Sequence, residues 1–403
     1  MTANREIIVR QATPEDEPAL RQFYQAAYDS GRYPYKYPLR WNWLYRKNPF
    51  IPNGFGLPIW VAFHKEMIVG HTGAMFVPCK IIENRLTAAW SVDTVVLPAY
   101  RKTGLGKRLQ KANQDAHSVF ISLSMSAANR AIKQKLGAVA GPAARLYVYT
   151  HRIDPACLFK GVRLELQNRL GHLWGKKAWQ VLWATGFPRV FSKYIEARLH
   201  LRQKKQISSM QGPPLDFIPV TDRFGQQAGQ LWTACRDDYN FSVERTRTYL
   251  NWKYVDQPHI CYERFYAYSK DRLAGLIVFR CCRPPEPGLG VISDLLCARG
   301  FENCAPRMLG FALEKLHQQN VAGIYMATAS PDIENILQQY GFLYFSNEVM
   351  CLFDRSQTAG TSNHAWRALL AKGDHDWDQY PLTRQMSVSE IRKTLKGRKA
   401  DIS

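Results

Sequence analysis

The sequence predicts an α/β fold with a mixed α+β sheet, present as two tandem copies of one unit of about 150 residues. Two observations support this prediction. The halves of the chain match each other in four blocks, and each half alternates strand-like with helix-like segments in the same order. A chain of 403 residues is also too long for one ordinary hydrophobic core.

The four matching blocks keep their order along the chain. "WLYRKNP" and "WKYVDQP" share the pattern W-x-Y-x-x-x-P, and "AFHKEMIVG" matches "AYSKDRLAG" without a gap. The blocks are residues 43–49 with 252–258, 62–70 with 267–275, Leu109 with Leu309, and 126–137 with 330–341. Such agreement indicates an internal repeat.

Each copy is predicted to contain the same secondary-structure elements in the same order. A polar segment at residues 13–28 carries Pro14 and acidic residues in its first turn, which is typical of a helix start. A hairpin pattern follows, with its turn at Lys65 and Glu66 in the first copy. A buried strand at residues 91–97 then leads through two glycines into a helix, and a strand, a second helix and a final strand complete the unit.

Composition divides the chain further. Residues 160–206 hold eleven Lys/Arg against two Glu, interleaved with Trp, Phe and Tyr, and "QGPPLDF" ends this stretch. The predicted domains are residues 1–160 (first copy), 161–212 (basic, Trp-rich helical connector), 213–356 (second copy) and 357–403 (polar basic tail).

The charge of +21 favours anionic partners: nucleotide phosphates, nucleic acid, acidic carrier proteins or anionic lipid. The apolar share of 46% excludes a disordered chain. Without an 18-residue apolar run or a signal-peptide pattern, we expect a cytoplasmic protein, with contact at the inner membrane face left open. Nine cysteines without a CxxC pair indicate reduced thiols, and we expect no metal site.

The stretch "VVLPAYRKTGLGKRL" carries the clearest chemical signal. A strand that ends where a helix begins leaves backbone N–H groups pointing at one spot, and Gly104 and Gly106 let a ligand approach them closely. Arg101 and Lys107 add positive charge on either side. The expected occupant is a phosphate or diphosphate.

This stretch resembles the acyl-CoA-binding motif [RQ]-x-x-G-x-[GA] of the GCN5-related N-acetyltransferases, and the order of elements is similar to that family's fold. The resemblance covers roughly residues 5–155 and 215–355. It implies that the loop holds the diphosphate of coenzyme A, that the preceding strand pairs with pantetheine, and that acetyl-CoA or another acyl-CoA is the co-substrate. The implied binding residues are Val95, Val96, Leu97, Arg101, Lys102, Thr103, Gly104, Leu105, Gly106, Lys107 and Asn129, although Asn129 could equally cap its own helix.

The second copy departs from the motif. At an offset of 200, the loop positions are occupied by Phe301, Cys304 and Pro306, so the cation and one N–H are missing. We therefore expect a degenerate copy that shapes the acceptor cleft. The "RWNWLYRKNP" and "GDHDWD" segments also resemble bacterial tandem members associated with surface-polysaccharide gene clusters.

Transfer of an acyl group to an amine needs a base and an acid. Asp93 in "WSVDTVV" is the predicted base, because apolar neighbours could raise its pKa, and a structural hydrogen-bonding role is the equal alternative. Glu66 and His64 are weaker rivals. In the family a tyrosine usually acts as the general acid, but that position is occupied by Lys133 here and by Leu337 in the second copy. The acid is therefore expected to be Tyr147 or Tyr149, Ser126 or water, unless the thiolate leaves unaided.

The sequence thus predicts an enzyme: an acyl-CoA-dependent N-acyltransferase, foremost an N-acetyltransferase, acting on a primary amine of a small molecule or sugar. One alternative is an inactive binding protein on anionic membrane or nucleic acid. Another is a transferase that takes its acyl group from an acidic carrier protein. The connector is expected to be a packed helical pair, a membrane-binding patch, or a docking face for nucleic acid or carrier protein. The acceptor, the acyl length and the oligomeric state stay open.

Overall fold

The structure is a computed structural model. It describes residues 7–30, 32–123, 125–150, 155, 159–209, 212–281, 289–355 and 365–374. The chain forms two compact units. The first contains residues 1–144, 221–261 and 348–380, and the second contains residues 145–220, 262–347 and 381–403. Most of the predicted tail at 357–403 lies outside the described residues.

The strands are β1 (Ile7–Gln11), β2 (Ile59–His64), β3 (Met67–Ile81), β4 (Asn84–Val96), β5 (Val119–Ser122), β6 (Val139–Thr150), β7 (Asp216–Pro219), β8 (Phe241–Val243), β9 (Glu263–Ser269), β10 (Arg272–Cys281), β11 (Leu289–Cys297), β12 (Gly323–Thr328), β13 (Leu343–Asp354) and β14 (Ala368–Leu369). The helices are α1 (Glu17–Ala27), α2 (Tyr33–Lys36), α3 (Leu39–Tyr45), α4 (Leu105–Asp115), α5 (Ala127–Lys135), α6 (Lys160–Ala184), α7 (Phe187–Ser209), α8 (Gln226–Cys235), α9 (Arg247–Tyr254), α10 (Ala305–Gln318) and α11 (Pro331–Gln339). Within the described part of the chain, no helix is both long and apolar enough to cross a membrane.

The first unit is built on a mixed sheet. Strands β1 to β4 pair antiparallel in chain order, β4 pairs parallel with β5, and residues 351–354 of β13 pair antiparallel with β5. Helix α4 packs on this sheet through Leu105 and Leu109, both buried. A Cβ at Gly70 would come within 2.8 Å of the Leu109 side chain, so glycine in β3 permits the close helix–sheet contact.

The repeated tryptophans face each other inside the first unit. The rings of Trp43 and Trp252 stack with centroids 4.6 Å apart and planes 11° from parallel. Each indole N–H donates to the other residue's carbonyl, at 2.9 Å from Trp43 and 3.4 Å from Trp252. This reciprocal contact between equivalent positions gives the shared W-x-Y-x-x-x-P pattern a structural reason.

The second unit repeats the sheet-and-helix arrangement. Its strands follow the order β7-β9-β10-β11-β12, and residues 145–150 of β6 pair antiparallel with β12. Helix α10 packs where α4 packs in the first unit, and a Cβ at Gly275 would lie 2.9 Å from the Met308 side chain. Gly275 is the sequence match of Gly70, so both copies keep a glycine beneath the helix that follows the loop.

The compact units are not the two sequence repeats. The final strand of the first repeat contributes residues 145–150 to the second unit, and the final strand of the second repeat contributes residues 351–354 to the first. The first unit also takes in residues 221–261, with α8, β8 and α9. The predicted ranges 1–160 and 213–356 stay a prediction about the limits of the repeats.

Candidate active site

The glycine loop of the first unit is open. Helix α4 begins after Gly104, whose φ of 84° lies in the left-handed region that favours glycine. No protein atom lies within 4 Å of the position that a Cβ would take at Gly104 or Gly106. The amides of Lys107 and Arg108 bond to the Gly104 carbonyl. Among the described residues, the amides of Gly104, Leu105 and Gly106 have no acceptor, so three donors point at open space.

Side-chain charge surrounds the loop. Arg101, Lys102 and Lys107 are exposed. The Arg101 Nε donates to the Val96 carbonyl at 3.0 Å, which ties the loop to the end of β4. The Thr103 hydroxyl donates to the Tyr100 carbonyl at 2.8 Å and so braces the turn. The N-terminus of α4 adds the positive end of its dipole, so the loop is suited to an anion.

Strands β4 and β5 separate directly before this loop. Their parallel register consists of Ala89 with Phe120 and Trp90 with Ile121, and it ends there. Residues 91–96 of β4 continue without a strand partner on that side among the described residues. An exposed strand edge can pair with an extended ligand through main-chain hydrogen bonds. The candidate residues Val95, Val96 and Leu97 lie at the loop end of this edge, and all three are partly exposed.

A β-bulge lies in the middle of the free edge. The register between β3 and β4 shifts between His71 and Gly73, so Thr72 faces two residues of β4. Asp93 takes a φ of 53° there, which is strained for a residue with a Cβ. Its carbonyl oxygen lies 2.9 Å from the His71 Nδ1, and the Thr72 and Thr94 hydroxyls lie 2.8 Å apart. These bonds hold the bulge in place.

The Asp93 carboxylate is fully engaged in ion pairs. The side chain is 2% exposed, and it contacts the Lys36 ammonium, the Arg40 Nη1 at 2.5 Å and the Tyr45 hydroxyl at 3.0 Å. Burial alone would raise the pKa of Asp93, but the charges of Arg40 and Lys36 outweigh it and hold the pKa well below its usual value. The expected upward shift is therefore wrong, because cations rather than apolar side chains surround the carboxylate. Its role as base stays a prediction, and this geometry favours the structural alternative.

Lys133 lies where β4 and β5 separate. It is 3% exposed, its Nζ donates to the Ser91 hydroxyl at 3.1 Å, and its Nζ lies 4.2 Å from the centroid of the Phe120 ring. No carboxylate among the described residues pairs with it. Burial lowers the pKa of Lys133 to about 7. Ser91 is the first β4 residue beyond the segment that pairs with β5, and it is partly exposed. The Lys133 ammonium is therefore connected to the free edge of β4 through the Ser91 hydroxyl.

The structure places the other candidate residues elsewhere. Tyr147 and Tyr149 belong to the core of the second unit, where the Tyr147 hydroxyl donates to Glu334 at 3.1 Å. Burial raises the pKa of both tyrosines, which favours a packing role. Ser126 caps α5 by accepting from the Asn129 amide, and the Asn129 side chain accepts from Gln110 at 3.0 Å.

Glu66 and His64, the weaker candidates for the base, lie at or near the surface. Glu66 is exposed in the β2–β3 turn, and the His64 Nδ1 lies 2.7 Å from the Tyr100 hydroxyl. Two clefts of the first unit, of about 430 and about 650 Å³, are lined by residues outside the glycine loop and the free edge of β4.

Sequence reasoning missed the buried cations. Lys36 and Arg40 stand four residues apart in an aromatic segment, and that spacing among apolar neighbours was the available signal. In the sequence, Lys133 stands out only because it replaces the family's tyrosine. Its depth in the fold depends on β5 and α5 packing together, which the sequence does not reveal.

The corresponding loop of the second unit has a different shape. Helix α10 begins after Cys304, whose φ is −82°, and the Cys304 amide donates to the Phe301 carbonyl at 2.9 Å. Pro306 has no N–H, and its carbonyl accepts from the Tyr340 hydroxyl at 2.6 Å. These features favour a degenerate copy, which stays a prediction.

Neither known family profiles nor curated proteins match this sequence. Solved structures do match it. A GCN5-related N-acetyltransferase from Anabaena variabilis is 12% identical over 87% of this chain and 73% of its own, with a TM-score of 0.53. An Enterococcus faecalis protein described as a probable N-acyltransferase is 11% identical over 87% and 74%, with a TM-score of 0.53. Saccharomyces cerevisiae N-myristoyltransferase with bound myristoyl-CoA is 10% identical over 88% and 84%, with a TM-score of 0.52. This chain therefore has the fold of the GCN5-related N-acetyltransferases.

Proposed function

We propose that the chain is an acyl-CoA-dependent N-acyltransferase that grips the diphosphate of coenzyme A at Gly104–Gly106. One observation carries the proposal: among the described residues, the amides of Gly104, Leu105 and Gly106 have no acceptor at the start of α4, where the Cβ positions of both glycines are open. The helix dipole and the exposed side chains of Arg101 and Lys107 favour a doubly charged group at this spot. The fold shared with acyltransferases is consistent with it.

The free edge of β4 supports the second half of the binding mode. From Val96 to Ser91 the edge runs for about 17 Å, at about 3.3 Å per residue. An extended pantetheine arm has amide groups that can pair with this edge as a further strand would. The thioester would then lie near the point where β4 and β5 separate, next to Ser91.

Lys133 supplies the proton in this proposal. The acceptor nitrogen attacks the thioester carbon, so a C–N bond forms and the C–S bond breaks. The departing thiolate takes the hydroxyl proton of Ser91, and Ser91 takes a proton from the Lys133 ammonium 3.1 Å away. Water accepts the surplus proton of the new amide and later restores Lys133. A lysine with a pKa of about 7 readily protonates a thiolate whose ordinary pKa is about 8.5.

Asp93 has a different task in this account. Because its carboxylate pairs with two buried cations, Lys36 and Arg40, it holds the bulge that keeps the β4 edge free. A carboxylate with a lowered pKa is a poor proton acceptor, so water is the better base for the acceptor ammonium.

Acetyl-CoA binding by calorimetry tests the proposal. In Gly106→Glu the new side chain has room and an ordinary helical backbone, so the fold should survive while a carboxylate occupies the anion site. We expect a loss of at least about a hundredfold in affinity, because two or more charge-assisted hydrogen bonds are lost. Gly229→Glu is the matched control, since Gly229 lies in a helix with its nearest neighbour 4.0 Å away. No binding by the native protein, or equal binding by both variants, would overturn the proposal.

The donor and the acceptor are finer parts of the proposal. An acetyl group and a primary amine are the first pair to test, with aminosugars in the panel because of the resemblance to polysaccharide-associated members. Release of free thiol from acetyl-CoA, longer acyl-CoA and acyl carrier protein donors would rank the donors. Thiol release that needs only the carrier protein would reject coenzyme A as the natural donor.

A further inference from the structure

Helix α7 carries an apolar stripe on its solvent side. Phe187, Val190, Tyr194 and Leu201 follow one another at spacings of three, four and seven residues, so they lie on one face. Their exposed fractions are 51, 69, 55 and 68%. Ala197 fills the remaining position of the stripe and is also exposed. Five successive positions on one face of the helix therefore expose apolar or aromatic side chains to solvent.

The inner side of the same helix is mixed rather than apolar, with Pro188 and Ser192 buried and Ile195 and Glu196 partly buried. Ser192 is buried, and its hydroxyl donates to the Pro188 carbonyl at 2.8 Å. Glu196 is mostly buried and pairs with Lys193 at 2.6 Å. A surface helix normally turns its apolar face to the core and its polar face to water. Helix α7 instead leaves an unbroken apolar stripe exposed, which suggests that this outer face meets something other than water.

Cations flank the stripe. At 100° per residue, Arg189 and Lys193 fall on one side of it and Arg198 on the other. The only acidic residue in this part of the helix is Glu196, which is turned inward. The face therefore combines a central apolar strip with positive margins.

The preceding helix α6 also exposes large apolar side chains. Leu173, Trp174 and Val181 are 76, 69 and 66% exposed. The Lys177 Nζ lies 5.0 Å from the centroid of the Trp174 ring. Both helices belong to the same compact unit, so one unit presents apolar and basic side chains on both members of the helix pair.

Three kinds of occupant can be compared by their chemistry. A second copy of α7 would bring the same cations together and would repel. Nucleic acid would use the basic margins and could stack bases on Phe187, Tyr194 and Trp174. It would, however, leave the exposed aliphatic side chains, Val190, Leu201 and Leu173, in water. The surface of an anionic bilayer suits both the apolar stripe and its basic margins. The apolar and aromatic side chains would lie at the acyl boundary, and the Lys and Arg side chains would contact the headgroup phosphates.

We propose that the outer face of α6 and α7 docks on an anionic lipid bilayer. The docking is peripheral, and it is independent of the proposed transferase activity. The net charge of +21 adds long-range attraction to the same partner.

Co-sedimentation of the full-length protein with vesicles tests this docking. We expect binding to phosphatidylcholine vesicles that contain phosphatidylglycerol, weak binding to phosphatidylcholine alone, and a loss of binding at high salt. The double variant Val190→Asp/Leu201→Asp should bind at least about tenfold more weakly, because two interfacial side chains become charged. Arg189→Gln and Arg198→Gln should each cost about fivefold.

Ile8→Asp/Met67→Asp is the matched control. Both residues are apolar and are 63 and 53% exposed, so the charge change and the loss of exposed carbon are equivalent. The control should bind vesicles like the native protein, and the thermal unfolding midpoint of both double variants should be native-like. Equal vesicle binding by the two double variants would overturn the proposal. A native protein that does not bind anionic vesicles would also overturn the proposal. This holds whether the protein instead forms a dimer that Val190→Asp disrupts or binds RNA.

Discussion

The Lys133→Met substitution removes a buried ammonium while keeping an unbranched side chain in the same place. Lys133 has no carboxylate partner among the described residues, and its Nζ bonds only to the Ser91 hydroxyl. A charge buried in this way opposes folding. Because Ser91 is partly exposed, its hydroxyl can bond to water once the lysine is gone.

The size of the effect follows from the pKa of Lys133. Burial lowers that pKa from 10.5 to about 7, which corresponds to up to about 5 kcal/mol at about 1.4 kcal/mol per pKa unit. Between about 7 and 10.5 the unfolded chain binds a proton that the folded chain lacks, so the stability of the native protein rises with pH. Below about 7 the full cost of the buried charge is present. Lys133→Met should therefore gain most below pH 7 and gain nothing above 10.5.

Urea unfolding across this pH window measures the gain. We expect Lys133→Met to be more stable by several kcal/mol at the acidic end, and to lose the rise in stability that the native protein shows between about 7 and 10.5. The same variant should release free thiol from acetyl-CoA at least about a hundredfold more slowly, because the leaving group lacks its acid. Lys135→Met is the control, since Lys135 is exposed two residues further along α5.

Two results would refute this reasoning. A Lys133→Met protein that is less stable at every pH would show that the ammonium makes favourable interactions. Unchanged turnover in a more stable variant would show that Lys133 is buried without a role in proton transfer, and the acid would then be another group or water.

Three further predictions concern the first unit. Asp93→Asn should lower the free energy of unfolding by about 3–5 kcal/mol, because two buried cations lose their counter-charge; a native-like stability with lost turnover would instead support Asp93 as base. Trp43→Ala should cost about 3–5 kcal/mol in urea unfolding, since the stacked ring of Trp252 loses its partner, and a cost below that of an average surface substitution would contradict the contact. Burial lowers the pKa of His117 to about 4, so native stability should fall as pH drops from about 6.5 to 4. His117→Phe should reduce that loss by up to about 3 kcal/mol, and an unchanged acid profile would refute it.

The sequence predicted the local features of the fold and site. The glycine loop between strand and helix, the helix that begins after Gly104 and the hairpin turn at Lys65 all follow from residues adjacent in the chain. The repeat aligned Gly70 with Gly275, and the structure shows that each lies beneath the helix that follows the loop. These features depend on backbone conformation and short-range packing, which single residues can specify.

The features that the sequence left open depend on distant contacts. The cations that lower the pKa of Asp93 are more than fifty residues away along the chain. Sequence neighbours such as Val92 and Val95 suggested an apolar environment. Val92 belongs to the opposite face of the strand, and the bulge at residues 93–94 breaks the alternation that would place Val95 on the same face as Asp93. The sharing of final strands between the units is equally hidden, because either final strand carries the same alternating pattern wherever it pairs.

Hydrogen–deuterium exchange with and without coenzyme A tests the central claim most directly. If the loop amides hold the diphosphate and the β4 edge holds the pantetheine arm, then peptides covering residues 101–108 and 91–97 should gain protection when the ligand binds. Gly106→Glu should lose that protection at matched ligand concentration. Protection confined to other segments, or none at saturating ligand, would contradict the account.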